Sequence, residues 1–268
     1  MCKKLILVAL VLGLAGTVQA TIVFSDNVDT PHDYLTDGLG AYDGMLNGTI
    51  SALDASINRD GALYFESAGG VWDPGPGPLL YVNWTGDFVA TVKVTDFAGE
   101  TGAIVSHNDC GIVARDPADD GADDWVAVNY FPTWTAFNVR STDDGARGEY
   151  GQPAGSWMGT DTFALAAQYP YIQLERSGSD FSFRISEDGV NFLPLVEEAN
   201  TGIYDGSQTP LVISRPDLPE TLQLGLMNCT YTADTGYAAF DDLSIIPEPA
   251  TLALLGLGGL ALIRRKRS

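Results

Sequence analysis

The chain is predicted to be all-β, an antiparallel β-sandwich, and three observations carry that prediction. Phe181-Ser182-Phe183-Arg184-Ile185-Ser186 alternates apolar and polar residues, the period-2 signature of a strand with one buried face. Clusters of Asp, Gly and Pro, such as Asp73-Pro74-Gly75-Pro76-Gly77-Pro78, separate short apolar runs. A long amphipathic helical period is missing between those runs, and short strands at such spacing bury their apolar faces by packing two sheets together.

From the N-terminus, Lys3 and Lys4, the apolar run Leu5 to Ala15 and the small-residue exit Val18-Gln19-Ala20 follow the plan of a secretory signal peptide. Residues 1–20 are therefore expected to be removed, with the mature chain starting near Thr21. Cys2 precedes the apolar run, so it cannot serve as a lipoprotein cysteine. Residues 21–246 form the body, long enough for one sandwich domain with a sizeable core. Strands are expected at Phe88 to Thr95, Gly111 to Arg115, Trp125 to Phe131, Phe137 to Ser141, Leu222 to Met227 and Ala238 to Ile246. Tyr171 to Arg176 and Phe181 to Ser186 are expected to pair as a hairpin across the turn residues Ser177-Gly178-Ser179-Asp180. Glu187-Asp188-Gly189 then turns the chain toward Asn191-Phe192.

At the C-terminus, Ala250 to Ile263 holds only apolar residues, Gly and Thr251, and Arg264-Arg265-Lys266-Arg267 follows at once. This short apolar helix (250–263) falls short of the roughly 20 residues that span a bilayer comfortably. Its basic end is expected to stay cytoplasmic, orienting the body outward. Pro247-Glu248-Pro249 stands immediately before it. Pro-Glu-Pro, an apolar helix and an Arg-rich end, in that order over 247–268, resemble the PEP-CTERM sorting signal. The resemblance implies an exported bacterial protein, held in the membrane by this helix until an exosortase-type enzyme processes it. Its destination would be the cell envelope, cell surface or extracellular matrix.

Setting aside the six terminal cations and Glu248 leaves the body 8 cations against 34 anions, a net charge of about −26. Such a field repels nucleic acid, which is excluded as a partner. Cys110 and Cys229 are the body's two cysteines, in a compartment where disulfides persist. One bridge between them is possible, but their separation in space is not readable from sequence.

Gly86-Asp87-Phe88, Gly111 to Arg115, Tyr171 to Phe192, Leu224-Gly225-Leu226 and Phe240-Asp241-Asp242-Leu243 occur in an order similar to the concanavalin A-like lectin/glucanase superfamily. The closer likeness is to its DUF1349 and glycosidase-accessory branch, with Phe24-Ser25-Asp26-Asn27 matching the first strand. That resemblance implies a concanavalin A-like jelly roll and a carbohydrate ligand.

Catalysis is not supported by the residues. Glycoside hydrolysis needs two carboxyl groups facing each other about 5 to 9.5 Å apart, and glucanases of this superfamily place them on one strand as Glu-x-Asp-x-x-Glu. Here Glu175 is followed by Arg176-Ser177, while Glu187-Asp188 and Glu197-Glu198 are adjacent pairs that diverge on a strand. His32 and His107 are too few for a histidine-rich zinc site.

Sugar binding fits the pattern better. If Phe137 and Val139 face the core, alternation puts Asn138 and Arg140 on the opposite face, joined by Trp134 if the strand begins there. If Val126, Val128 and Tyr130 point inward, Trp125, Asn129 and Phe131 point outward. The reverse assignment, with Trp125 and Phe131 inward, stays open on alternation alone. Asp116, Asp119, Asp120, Asp123 and Asp124 are the candidate ligands of a structural Ca²⁺, which takes 6 to 8 oxygens, although EF-hand spacing is not met. The expected function is a non-catalytic, exported, lectin-like protein binding extracellular glycan or matrix polysaccharide. A structural matrix protein without a specific ligand and a divergent glycoside hydrolase are the alternatives.

Overall fold

The computed structural model describes residues 24–26, 28–46, 48–68, 78–99, 108–118, 124–132, 136–143, 146–150, 160–196, 204, 206–230 and 235–247. The signal-peptide region 1–20, Trp134, Asp119, Asp120, Asp123, His107, the 73–77 part of the Pro-Gly stretch and the apolar helix 250–263 all lie outside the described residues. Within them the strands are β1 (Phe24–Ser25), β2 (His32–Asp33), β3 (Gly44–Leu46), β4 (Ile50–Ala55), β5 (Leu63–Ser67) and β6 (Leu79–Thr85). Next come β7 (Phe88–Gly99), β8 (Asn108–Arg115), β9 (Trp125–Phe131), β10 (Ala136–Asp143) and β11 (Ala146–Tyr150). A helix, α1 (Thr160–Gln168), leads into β12 (Tyr171–Ser177), β13 (Asp180–Ser186), β14 (Phe192–Pro194), β15 (Val212–Ser214), β16 (Thr221–Thr230) and β17 (Gly236–Pro247).

Two antiparallel sheets form. The ten-stranded sheet runs β14-β13-β12-β7-β17-β5-β4-β2, with β1 on β17 and β15 on β13. The seven-stranded sheet runs β11-β10-β9-β8-β16-β6-β3. Together they make the antiparallel sandwich expected from alternation. Phe181, Phe183 and Ile185 of β13 are buried in the shared core with Ile172 and Leu174 of β12, and the β12–β13 hairpin pairs as predicted, with Leu174 opposite Phe183. The turn needs Gly178 at φ 62°, a left-handed conformation that glycine adopts without a Cβ penalty.

Alternation did not reveal β4 and β5, and packing explains why. Leu53, Asp54 and Ala55 are consecutively buried, as are Leu63, Tyr64 and Phe65. Both faces of this part of the sheet are covered: Tyr64 lies against Tyr237 with ring centroids 5.0 Å apart. Asp54 turns the next loop, its Oδ1 accepting from the N–H groups of Ile57 (3.1 Å) and Asn58 (2.9 Å). Helix α1 was also missed, because nine residues carry little periodic signal.

The possible Cys110–Cys229 bridge is not formed. Cys110 pairs in register with Asn228, and Cys229 with Asp109. Side chains alternate across a strand, so the two sulfurs belong to opposite faces: Cys110 lies in the inter-sheet core and Cys229 with Met227 on the other side of β16.

Candidate functional site

The site is the outer face of the seven-stranded sheet. Val126, Val128, Tyr130, Phe137 and Val139 all enter the inter-sheet core. By the pleat, Trp125, Ala127 and Asn129 of β9 and Asn138 and Arg140 of β10 share the other face. Register brings them into rows: Asn138 sits opposite Asn129, which sits opposite Gly111, and Thr142 sits opposite Trp125, which sits opposite Arg115. Gly111 and Gly225 are small by necessity. A Cβ on Gly225 would stand 1.9 Å from Leu80 O, and one on Gly111 2.0 Å from Val128 O.

Arg140 is the centre of the cluster. Its Nη2 forms an ion pair with Asp109 of β8, both side chains fully buried. In the amide orientation that satisfies both groups, Asn129 Oδ1 accepts from Arg140 Nε at 2.8 Å and Nη2 at 3.1 Å. The guanidinium also lies 5.7 Å from the Trp125 ring centroid, within cation–π range. Nearby, Arg115 Nη1 donates to Gln223 Oε1 at 2.8 Å. Trp125 Nε1 and Asn138 Oδ1, both buried on this face, have no hydrogen-bond partner among the described residues.

The structure thus brings together four of the five glycan candidates, Trp125, Asn129, Asn138 and Arg140; the fifth, Trp134, is not described. It also corrects one aspect. An outward face was expected to be open, whereas Trp125, Asn129 and Arg140 are 0 % exposed and Asn138 1 %. Asp109 escaped the sequence reading. It precedes Cys110 in a run that reads as loop, and its partner lies 31 residues away; only a buried arginine one strand over, in need of a counter-charge, could have signalled it.

The calcium candidates fare differently. Asp116 is a turn residue, its Oδ1 accepting from Ala118 N at 2.8 Å, and its own N–H donates to Asp124 O at 2.9 Å. Asp124 joins Asp143 and Asp217 in a group whose carboxylate oxygens lie within 4.8 Å of one another. A protein cation already serves two of these acids: Arg215, 5 % exposed, pairs with Asp124 at 3.3 Å and with Asp217. Arg215 Nη1 also donates to Ser141 Oγ at 2.8 Å and to Thr142 O. The guanidinium therefore supplies positive charge to Asp124 and Asp217, while the candidates Asp119, Asp120 and Asp123 lie outside the described residues.

Hydrogen bonding from Arg215 holds the Asp217 carboxyl below the usual carboxylate range, against a smaller opposing effect of burial. In the turn after β13, the N–H groups of Asn191 and Val190 lower Asp188 further. A depressed folded-state pKa contributes stability above the unfolded value of about 3.9, and that contribution is lost as pH falls through the folded value. Denaturant midpoints are thus expected to decline below about pH 4. Asp217→Asn, already neutral, should flatten the decline; an unchanged acid limb in that variant would remove Asp217 from the account.

Of the carboxylates set aside for catalysis, Glu175 and Glu187 stand away from this face, and Glu197 and Glu198 lie outside the described residues. Glu175 is on β12 of the other sheet, paired with Arg184 at 2.8 Å, and Glu187 accepts from Gln168 at 2.6 Å in the turn region. His32 Nε2 is 2.8 Å from Gly38 O, a structural contact. Among the described residues no helix is long and apolar enough to cross a membrane.

No curated protein matches the chain. A mutant of the GH43 protein BlXynB from Bacillus licheniformis is similar in structure, with TM-score 0.51 and 13% identity over 83% of this chain and 39% of that one. This chain therefore corresponds to well under half of that protein's length. A functionally unknown protein from Saccharomyces cerevisiae aligns at TM-score 0.48 and 14% identity, over 76% of this chain and 99% of that one. The carbohydrate binding module CBM66 from Bacillus subtilis aligns at TM-score 0.41 and 12% identity, over 76% and 94%. At these identities the likeness is one of fold alone, an antiparallel β-sandwich, and it rests on the alignment with the GH43 protein. At the C-terminal end, the family model of the PEP-CTERM protein-sorting motif matches residues 246–267, so the chain carries the signal of an exported protein directed to the bacterial cell surface.

Proposed function

We propose that the protein is a non-catalytic glycan-binding module displayed at the cell surface, with the outer face of the seven-stranded sheet as its ligand site. One observation carries this reading: Trp125 Nε1 and Asn138 Oδ1 are buried there without a hydrogen-bond partner among the described residues. Buried polar atoms are paired in nearly all native structures, and a donor and an acceptor on one sheet face that also carries an indole ring match the hydroxyls and apolar face of a sugar. The jelly roll shared with the GH43 protein supports the reading at the level of fold. Asp109, committed to Arg140, is poorly placed for acid or base work on that face.

The complete burial of the Arg140–Asp109 pair favours a second reading, a structural matrix protein whose outer face is simply a second, polar core.

Titration of residues 21–246 against a panel of extracellular polysaccharides, with calcium and then with a chelator, separates the two. Saturable binding is expected, weakened about tenfold, or 1.4 kcal/mol, by Asn138→Ala, and reduced by Trp125→Phe, which keeps the ring and removes the N–H. Binding by wild type that neither variant affects would move the site elsewhere. Silence across the panel, with self-association, would favour the matrix protein, and release of soluble sugar would make the protein a hydrolase.

A further inference from the structure

The sorting motif begins inside the fold. Its match starts at residue 246, yet Ile246 and Pro247 are the last residues of β17, paired in register with Val89 and Phe88 of β7. The strand is central to its sheet, flanked by β7 on one side and by β5 and β1 on the other. Ile245 and Phe88 beside it are buried, so peeling the strand back would open the core. Pro247 itself is exposed. Three peptide steps, at most about 11 Å of extended chain, separate Pro247 from the apolar stretch at Ala250. An enzyme acting on Pro247-Glu248-Pro249 must therefore approach within that distance of the sandwich.

The end of the sandwich it would meet is well built. Phe88 continues from the β6–β7 turn, and Arg176 pairs opposite Phe88 at the start of the β12–β13 turn. Gly178 N donates to Asp87 Oδ1 at 2.7 Å, and Gly86 N to Glu220 O at 3.0 Å. Arg176 ties the segment ahead of β16 to this end, donating to Gly178 O at 2.9 Å and Pro219 O at 2.8 Å. These turns enclose a cleft of about 470 Å³ lined by Asp87, Arg176, Ser179, Arg215 and Glu220 among others, with both arginines buried. The exposed charged side chains around it are Asp87, Asp180, Asp217 and Glu220, of which Asp217 is paired with Arg215. Such a rim repels anionic lipid headgroups and suits a basic protein surface.

We infer that this end of the sandwich, the β6–β7 and β12–β13 turns with the 216–220 segment, is the docking surface for the exosortase-type enzyme that processes the motif. Recognition then belongs to the folded domain and the tail together. Because strand β17 stays paired, the mature chain ends at or beyond Pro247.

The test follows conversion of the full-length precursor to its processed form in the producing bacterium by pulse-chase, with the mass of the mature chain. Asp180→Lys with Glu220→Lys, both exposed, is expected to slow conversion roughly tenfold. Placing a Gly-Ser spacer of about 12 residues between Ile246 and Pro247 of that variant, which keeps Pro247-Glu248-Pro249 intact, should restore conversion, because the enzyme no longer has to meet the reversed charges. Conversion at the wild-type rate without the spacer overturns the proposal. Slowing that the spacer does not relieve overturns it too, since the defect would then lie in folding, as would a mature end inside β17. Faster conversion in the charge-reversed variant would show that this end faces anionic lipid instead.

Discussion

Arg140→Met is expected to destabilise the fold by about 3–5 kcal/mol, the usual result of removing one partner from a buried ion pair. The size follows from what is left behind. Arg140 and Asp109 are both fully buried, so methionine fills most of the volume but leaves a carboxylate in the interior. The same change removes the donors that Asn129 accepts from and the cation over Trp125. Urea unfolding of the purified body measures the loss as a fall in midpoint at unchanged slope. Combining Arg140→Met with Asp109→Leu should recover much of it, because two apolar residues in place of a buried pair are often neutral or better. A loss below about 1 kcal/mol for the single variant would mean the pair is solvated, as a surface pair is, and the outer face open.

Phe183→Ala should be similarly severe, about 3–5 kcal/mol, through lost burial and the cavity it leaves. Phe183 is fully buried beside Phe181 and Ile185 on the inner face of β13, opposite Leu174 of β12. Ser182→Ala, one residue away on the other face, is the control. Its hydroxyl donates to Glu175 at 3.3 Å on a partly solvated surface, and its loss should stay within about 0.5 kcal/mol. Equal midpoints for the two variants would contradict the assignment of faces on which the candidate site also depends.

That assignment was legible in the sequence wherever a strand buries one face and wets the other. Phe181 to Ser186 is such a strand. For Trp125 to Phe131 the alternation was ambiguous, because β9 is buried throughout, and the two choices differed only in which side held the valines. The core contacts of Val126, Val128 and Tyr130 decided it. β4 and β5 were invisible for a related reason, with neighbours covering both sides of Leu53 to Ala55 and Leu63 to Phe65.

The acidic run 116–124 shows the limit for charges. Read alone, Asp116 and Asp124 are good oxygen ligands, and composition cannot tell an ion from an arginine. Arg215 arrives from 91 residues away to pair with Asp124, and no spacing rule links the two positions.

By itself the sequence determined the sorting motif at its C-terminal end, the all-β class, the hairpin at Gly178 and the two-faced character of β10 and β13. Each depends on residues adjacent in the chain, where a period of two or a run of apolar residues acts locally. Tertiary structure alone decided that Cys110 and Cys229 face opposite ways, that Asp109 meets Arg140, that Arg215 gathers the acids, and that the sorting motif starts within a paired strand. Those outcomes depend on which strands become neighbours and in what register, and register is set by packing across the whole core.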